Sequence, residues 1–424
     1  MSFLVAAPAS GSGKTVVTTG IVAALVRRGV SVSPAKVGPD YIDPGFLAAA
    51  AGVPAVNLDL WAMRPALVDH LARRERLVVE GVMGLFDGPS SGIGSSADVA
   101  RRLGLPVVLV VNAERQSHSV AALVHGFATF DPTVRIAGVI LTRVASARHE
   151  RMLREALGRT AVPCLGAVPR DDALALPSRH LGLEQAVERS DLTARVAAIA
   201  AVVEAGCDID ALLTLGRDGP GPAGDAPPPL PPPGSRVALA RDVAFAFAYP
   251  HVLDGWRAAG ASLHPFSPLA GEAPDPSADA VVLPGGYPEL HAGRLAATRA
   301  WADGLAAAAL RGALVYGECG GYMALGRTLT DADGTVHEMA GLLPVATSFA
   351  VRRRTLGYRR LRHAGGLFPR SLRGHEFHYA TLASPEGPPL FEAEDTDRNL
   401  IGPVGTVAGT VAGSFAHVID RADG

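Results

Sequence analysis

The residues Ser10-Gly-Ser-Gly-Lys-Thr15 combine a lysine and a hydroxyl with glycines that let a loop curl, the composition of a phosphate cradle. Free N–H groups and the dipole at a helix start attract phosphate oxygens, so Gly11, Ser12 and Gly13 would form the cradle. Lys14 would reach the outer phosphates and the Thr15 hydroxyl would bind Mg²⁺. Pro8 stands where a full phosphate loop has its first glycine, so the pattern is incomplete. Far along the chain, Gly317-Glu-Cys-Gly-Gly321 sets a cysteine on a glycine turn, between the apolar run Ala313 to Tyr316 and the helical run Tyr322 to Leu325. A strand-turn-helix elbow of that kind presents a nucleophile, and the helix start favours its thiolate.

Other residues could complete each site. Lys36-Val-Gly-Pro-Asp-Tyr-Ile-Asp-Pro44 and Val79-Glu-Gly-Val-Met-Gly-Leu-Phe-Asp-Gly88 carry carboxylates. Glu80 closes an apolar strand run, where a doubly wound sheet places its ligand crevice, and a carboxylate there suits a hard cation. Asp40 and Asp43 either join it as metal ligands or cap the turn around Pro39 and Pro44. For Cys319, His417 is the leading candidate base, at the end of the strand expected over Val411 to His417; His375 and His378 compete with it. Cys164 and Cys207 read as small buried hydrophobes.

These residues need elements to hold them. In the first half, Phe3 to Ala7, Leu77 to Val82, Pro106 to Val111, Ile136 to Leu141 and Cys164 to Val168 read as buried strands. Helical spacing over Thr15 to Arg28 and Arg148 to Leu157, followed by Gly29 and Gly158 as caps, alternates with them and predicts a doubly wound parallel sheet. In the second half, Arg236 to Ala240, Ala280 to Leu283 and Ala313 to Tyr316 read as strands, and Arg294 to Arg311 as one alanine-rich helix. Proline and glycine dominate 216–235, a semi-rigid spacer. The expected organisation is α/β throughout: a domain over 1–215, a linker over 216–235 and a second α/β domain over 236–424.

Composition narrows the partners. A net charge of −2 over 424 residues gives no field to attract nucleic acid or an anionic membrane surface. Three widely spaced cysteines match neither a zinc site nor a disulfide framework, and no stretch is long and apolar enough to span a bilayer. A cytoplasmic protein acting on small molecules is expected.

Pro284-Gly-Gly-Tyr-Pro-Glu289, Gly317-Glu-Cys-Gly-Gly321 and the late His417 resemble class I glutamine amidotransferase domains. With the Lys36, Glu80 and Leu176-Pro-Ser-Arg-His-Leu-Gly-Leu183 stretches added, the whole chain resembles the cobyrinic or hydrogenobyrinic acid a,c-diamide synthases. That resemblance implies a phosphate-loop domain similar to dethiobiotin synthetase, joined to a glutaminase. It implies ATP, L-glutamine and a corrin polycarboxylate as substrates, Mg²⁺ at Thr15, Glu80, Asp40 and Asp43, and a homodimer. Cys319 would form a glutamyl thioester with His417 relaying the proton, and backbone N–H groups near Gly286 and Gly320 would hold the oxyanion. Tyr41 and Ile42 would lie beside the reacting carboxylate.

Three departures stand out. Ile419 occupies the place where many class I domains have a glutamate that orients the histidine; Thr142 replaces an asparagine that reads the base in related folds; and the signature lysine of MinD-type ATPases, expected near Ala9, is absent. The last favours a ligase over a nucleotide-dependent switch, while cobyric acid synthase remains an alternative ligase. Arg352-Arg-Arg354, with Tyr358 and Arg359, is either a carboxylate-binding cluster or a solvated face.

Overall fold

The computed structural model describes residues 1–90, 92–171, 174, 178–179, 182–216, 226–363, 367–383 and 386–422. Leu176, Pro177, His180 and Leu181 of the Leu176–Leu183 stretch, and residues 217–225 of the expected linker, lie outside them. The chain divides into two compact units, Met1–Trp61 with Pro65–Pro227, and Ala62–Arg64 with Pro228–Gly424.

Unit 1 alternates strand and helix: β1 (Phe3–Ala6), α1 (Lys14–Arg27), β2 (Ser33–Val37), α2 (Asp43–Ala51), β3 (Val56–Leu58), α3 (Pro65–Ala72), β4 (Leu77–Glu80), α4 (Ser96–Leu103), β5 (Val107–Asn112), α5 (Ser119–Phe130), β6 (Ile136–Val144), α6 (Ala147–Leu157) and β7 (Cys164–Pro169). The strands form one parallel sheet in the order β3-β2-β4-β1-β5-β6-β7. Strands covered on both faces must be apolar throughout, which is why β1 and β5 could be read as unbroken hydrophobic runs. The register sets Val5 of β1 beside Glu80 of β4, and Lys36 of β2 beside Glu80, so the C-terminal ends of these interior strands gather together. Gly29 has φ of 78° after α1, as a helix stop requires, whereas Gly158 keeps a right-handed φ of −59° and supplies no left-handed cap.

Unit 2 centres on a six-stranded sheet. Ser262–Phe266, Arg236–Ala240, Ala280–Leu283, Leu314–Glu318 and Val411–Ser414 run parallel in that order, and Thr406–Ala408 closes it antiparallel. A five-stranded antiparallel sheet, Leu400–Val404, Phe391–Glu394, Thr355–Arg362, Ser371–His378 and His417–Arg421, and a four-stranded sheet complete it. Two expectations are corrected here. The alanine-rich stretch is two helices, Ala292–Ala297 and Ala300–Leu310, because Thr298 turns extended (φ −112°) and the buried Trp301 indole donates to the Leu295 carbonyl at 3.0 Å. Nor does one strand run from Val411 to His417. The first ends at Ser414, whose hydroxyl accepts from Ala416 N–H at 3.2 Å, and His417 opens a strand of the antiparallel sheet.

Helix α1 lies against the later helix Leu192–Gly206 so closely that a Cβ on Gly20 would come within 2.4 Å of Val203. Gly20→Val should therefore lower the unfolding free energy of this unit by about 1–3 kcal/mol through overpacking, read as an earlier thermal transition.

Candidate functional site

The phosphate-loop candidates come together at the C-terminal ends of the unit 1 strands, between β1 and α1. Gly11 and Gly13 adopt φ of 76° and 89°, the conformation that a curled loop needs and other residues resist. The Ser12 hydroxyl donates to the Ala9 carbonyl at 2.8 Å, and the Thr142 hydroxyl donates to the Ser12 carbonyl at 2.8 Å. Thr142 thus props the loop, so its hydroxyl is engaged with protein backbone at the place where an asparagine was missed in the sequence. Lys14 is buried and donates to the Met83 carbonyl, and burial together with the nearby Lys36 ammonium brings its pKa down to about 8.

The acidic candidates converge on a residue that sequence reasoning did not select. Lys36 Nζ donates to Asp43 Oδ2 at 2.7 Å and to Glu80 Oε1 at 2.8 Å, and lies 3.7 Å from Asp40 Oδ2. Thr15 Oγ1 donates to the same Glu80 oxygen at 2.7 Å and lies 3.4 Å from Asp43 Oδ2. Burial works against the Lys36 charge, yet Asp43, Glu80 and Asp40 outweigh it and hold the ammonium protonated. Burial raises Glu80, while Lys36 outweighs burial at Asp43 and keeps it low. Asp40 does more local work: its Oδ1 accepts from Ile42 and Asp43 N–H at 2.9 and 3.1 Å, the turn-capping role. Ile42 is buried and Tyr41 half-buried between these carboxylates. The sequence signal for Lys36 was a charged residue inside a buried strand with aspartates four and seven positions later.

The oxygens of Thr15, Asp43 and Glu80 are hard donors of the kind Mg²⁺ takes. Glu80 Oε2 is fully buried with no hydrogen-bond partner among the described residues. Asp43 Oδ2 and Glu80 Oε1 are both engaged by Lys36, and among the described residues no group of three or more His, Cys, Asp or Glu side chains is arranged to hold a metal ion. A cleft beside the loop, lined by Gly13, Val16, Thr142, Arg143, Val168 and Arg170, borders the C-terminal strand ends of the same sheet.

In unit 2, Cys319 sits between Leu314–Glu318 and the helix Gly320–Leu325 with φ of 48° and ψ of −104°, a strained backbone for a residue with a side chain. Its N–H donates to the Ser414 carbonyl at 2.8 Å. A Cβ on Gly285 would lie 3.3 Å from Cys319 Cβ and 3.0 Å from His417 Nε2, so thiol and imidazole flank one glycine. His417 is therefore the histidine beside the thiol. His375 is its partner on the neighbouring strand, and His378 stacks on Phe415 and contacts Glu376 at 2.8 Å. A Cβ on Gly320 would lie 3.0 Å from Gly286 N, so the two glycines of the expected oxyanion site are neighbours. Burial and the field of Glu289 push the Cys319 thiol up, and burial with His375 and His378 brings His417 down to about 3. Both groups are therefore neutral at rest.

Other candidates separate. Arg352–Arg354 are exposed, but Arg359 is buried and pairs with Glu376 Oε2 at 2.7 Å, so it does not belong to a surface cluster. Cys207 is buried in the unit 1 core, its thiol pushed up to about 12 by burial, and Cys164 is half-buried. Among the described residues no helix is long and apolar enough to cross a membrane.

The comparisons divide the chain in the same way. Residues 3–183 match the CobQ/CobB/MinD/ParA nucleotide binding domain, and residues 236–423 match the CobB/CobQ-like glutamine amidotransferase domain. Together these define a glutamine-dependent, amide-forming enzyme. A hydrogenobyrinate a,c-diamide synthase of Brucella suis biovar 1 (strain 1330) is 55% identical over 99% of this chain and 98% of its own length. Those of Sinorhizobium sp and Rhodobacter capsulatus are 53% and 51% identical, over 99% and 98% of this chain and 98% of each relative. The chain belongs to the hydrogenobyrinate a,c-diamide synthase family.

A neutral thiol beside a neutral imidazole has a measurable consequence. Without glutamine, iodoacetamide labelling of Cys319, followed by peptide mass mapping, should quicken by about tenfold per pH unit from pH 6 to 9 without a plateau. A plateau below pH 7 would mean that a thiolate–imidazolium pair already exists.

Proposed function

We propose that this chain amidates the a and c acetate carboxylates of hydrogenobyrinic or cobyrinic acid, in two rounds, using ATP and glutamine. The observation that carries the reading is 55% identity across nearly the full length of a hydrogenobyrinate a,c-diamide synthase. The charge distribution at the C-terminal ends of β2 and β4 supports it. A carboxylate is a poor electrophile, so its oxygen first attacks the γ-phosphorus of ATP, giving an acyl phosphate and ADP. The cradle of Gly11, Ser12 and Gly13 with Lys14 holds the phosphates, and Lys36 holds Asp43 and Glu80 in place behind them. The cleft beside Thr142 would take the nucleoside. Thr15, Glu80 and Asp43, with Asp40 behind them, would hold Mg²⁺, which supplies neutralisation of phosphate charge when bound. Tyr41 and Ile42 border the corrin's reacting arm.

In the amidotransferase half, the Cys319 proton passes to His417 as sulfur bonds to the glutamine amide carbon, and N–H groups near Gly286 and Gly320 hold the oxyanion. His417 returns the proton to the departing nitrogen, and water then hydrolyses the thioester to glutamate. Ammonia attacks the acyl carbon in the other site and phosphate leaves. The absence of a membrane-spanning helix among the described residues and the small net charge favour a cytoplasmic enzyme, and family likeness favours a homodimer.

Purified protein with ATP, Mg²⁺, glutamine and either corrin acid should yield diamide and ADP by mass spectrometry; no amide from either acid, with glutamine or with ammonia, would overturn the reading. Cys319→Ser should abolish glutamine use but leave synthesis from concentrated ammonia, rising toward alkaline pH with the free base. Lys14→Ala should abolish both.

A further inference from the structure

The amidotransferase pair lacks the carboxylate that usually orients its histidine, since Ile419 is apolar and buried. Another carboxylate lies on the far side of the ring. Glu318, the residue immediately before the candidate nucleophile, has Oε2 3.7 Å from His417 Nδ1. Of the two ring nitrogens it is Nε2, with Cε1, that borders the Gly285 position that also touches Cys319. The ring therefore has one nitrogen toward a carboxylate and the other toward the thiol. We infer that Glu318 is the positioning residue for His417, doing from the nucleophile's own strand what a glutamate beyond the histidine does in other class I domains. This inference rests on the proposed Cys319–His417 chemistry.

Three features hold Glu318 in that place. Its Oε1 accepts from Val418 N–H at 3.0 Å and from the Tyr316 hydroxyl at 3.1 Å, so one oxygen is anchored while the other faces the ring. Val418 follows His417 directly, so the same carboxylate fixes the backbone that carries the imidazole. The rival carboxylate, Glu376, is engaged elsewhere, by His378 Nε2 at 2.8 Å and Arg359 Nε at 2.7 Å. The 3.7 Å separation is that of an ion pair rather than of a hydrogen bond in the resting site. The demand for the contact rises during reaction: when the Cys319 proton moves to Nε2, the ring becomes a cation with N–H at Nδ1, and a carboxylate there both stabilises the charge and fixes the tautomer. Burial beside the apolar cavity of Tyr249, Val252, Trp256 and Phe368 pushes Glu318 up to about 7, and an imidazolium next to it would draw it back toward ionisation.

Glu318→Gln keeps an acceptor for Val418 and Tyr316 but removes the charge. In the full-length enzyme its glutaminase kcat should fall by about 10- to 1,000-fold, with KM for glutamine within about twofold and ammonia-driven synthesis retained. Glu318→Asp should recover part of the loss. Wild-type kcat in Glu318→Gln, alongside a silent Cys319→Ser, would overturn this assignment alone; an active Cys319→Ser would overturn the thiol chemistry beneath it. If Glu318→Gln fails to fold, as loss of ammonia-driven synthesis would reveal, Glu318→Asp is judged by the same kcat and KM split. A lowered melting temperature without a selective loss of kcat would mark Glu318 as merely structural.

Discussion

An ammonium taken out of water inside a parallel sheet keeps its charge only when carboxylates surround it, and the candidate ligase site is organised by that requirement at Lys36. Its three acidic neighbours come from separate places, Asp40 and Asp43 from the loop and helix after β2, and Glu80 from the end of β4. Each would be an expensive buried charge alone. Together they fix the turn after β2, hold the end of β4 beside β2, and draw the Thr15 hydroxyl onto Glu80. Removing any one member would strand the others, so the cluster ties the phosphate loop to the strands that present it.

Unit 2 meets the opposite demand. Its chemistry needs a thiol and an imidazole close together with little room for water, and glycines supply the closeness. A Cβ on Gly321 would lie 1.9 Å from the Leu283 carbonyl, and one on Gly285 would strike the His417 ring. Without side chains at these positions, the helix after Cys319 settles onto the sheet and Cys319 and the imidazole flank the same glycine. The cost of that approach is visible in the left-handed φ of Cys319 itself. Burial favours the neutral forms of Cys319 and His417, whereas at Lys36 the surrounding carboxylates hold the ammonium charged.

What could be read in the sequence follows from these physical differences. Strands β1, β5 and β6 were legible because parallel strands covered on both faces are continuous apolar runs. Strand β2 was not, since Ser33, Pro34 and Lys36 make Ser33–Val37 look like a solvated loop; its lysine is tolerated there only because of carboxylates the tertiary fold brings in. Lys14, Thr15 and Cys319 announced themselves through local glycine patterns. His417 was chosen over His375 on resemblance, not on physical grounds, because its nearness to the thiol depends on the chain leaving one sheet at Ser414 and entering another at His417. Glu318 was hidden for a related reason: next to a nucleophile it reads as part of the turn, and only the strand pairing shows its second oxygen facing the imidazole.

The contrast in charge between the two sites matters for the nitrogen that must pass from one chemistry to the other. Ammonium cannot attack an acyl phosphate, so the proposed reaction requires release in a setting that penalises a charged nitrogen. The burial that brings His417 down to about 3 and raises the Cys319 thiol disfavours any new ion in the same pocket, ammonium included. A carboxylate left fully ionised beside the departing nitrogen would work against this by favouring the cation. Glu318 escapes that conflict because it stands behind the imidazole, on the Nδ1 side, and burial raises it to about 7. It can therefore answer the transient imidazolium while the ring lies between its charge and the leaving group. At the other site a fixed ammonium, Lys36, already faces Asp40, Asp43 and Glu80 and offsets part of their charge.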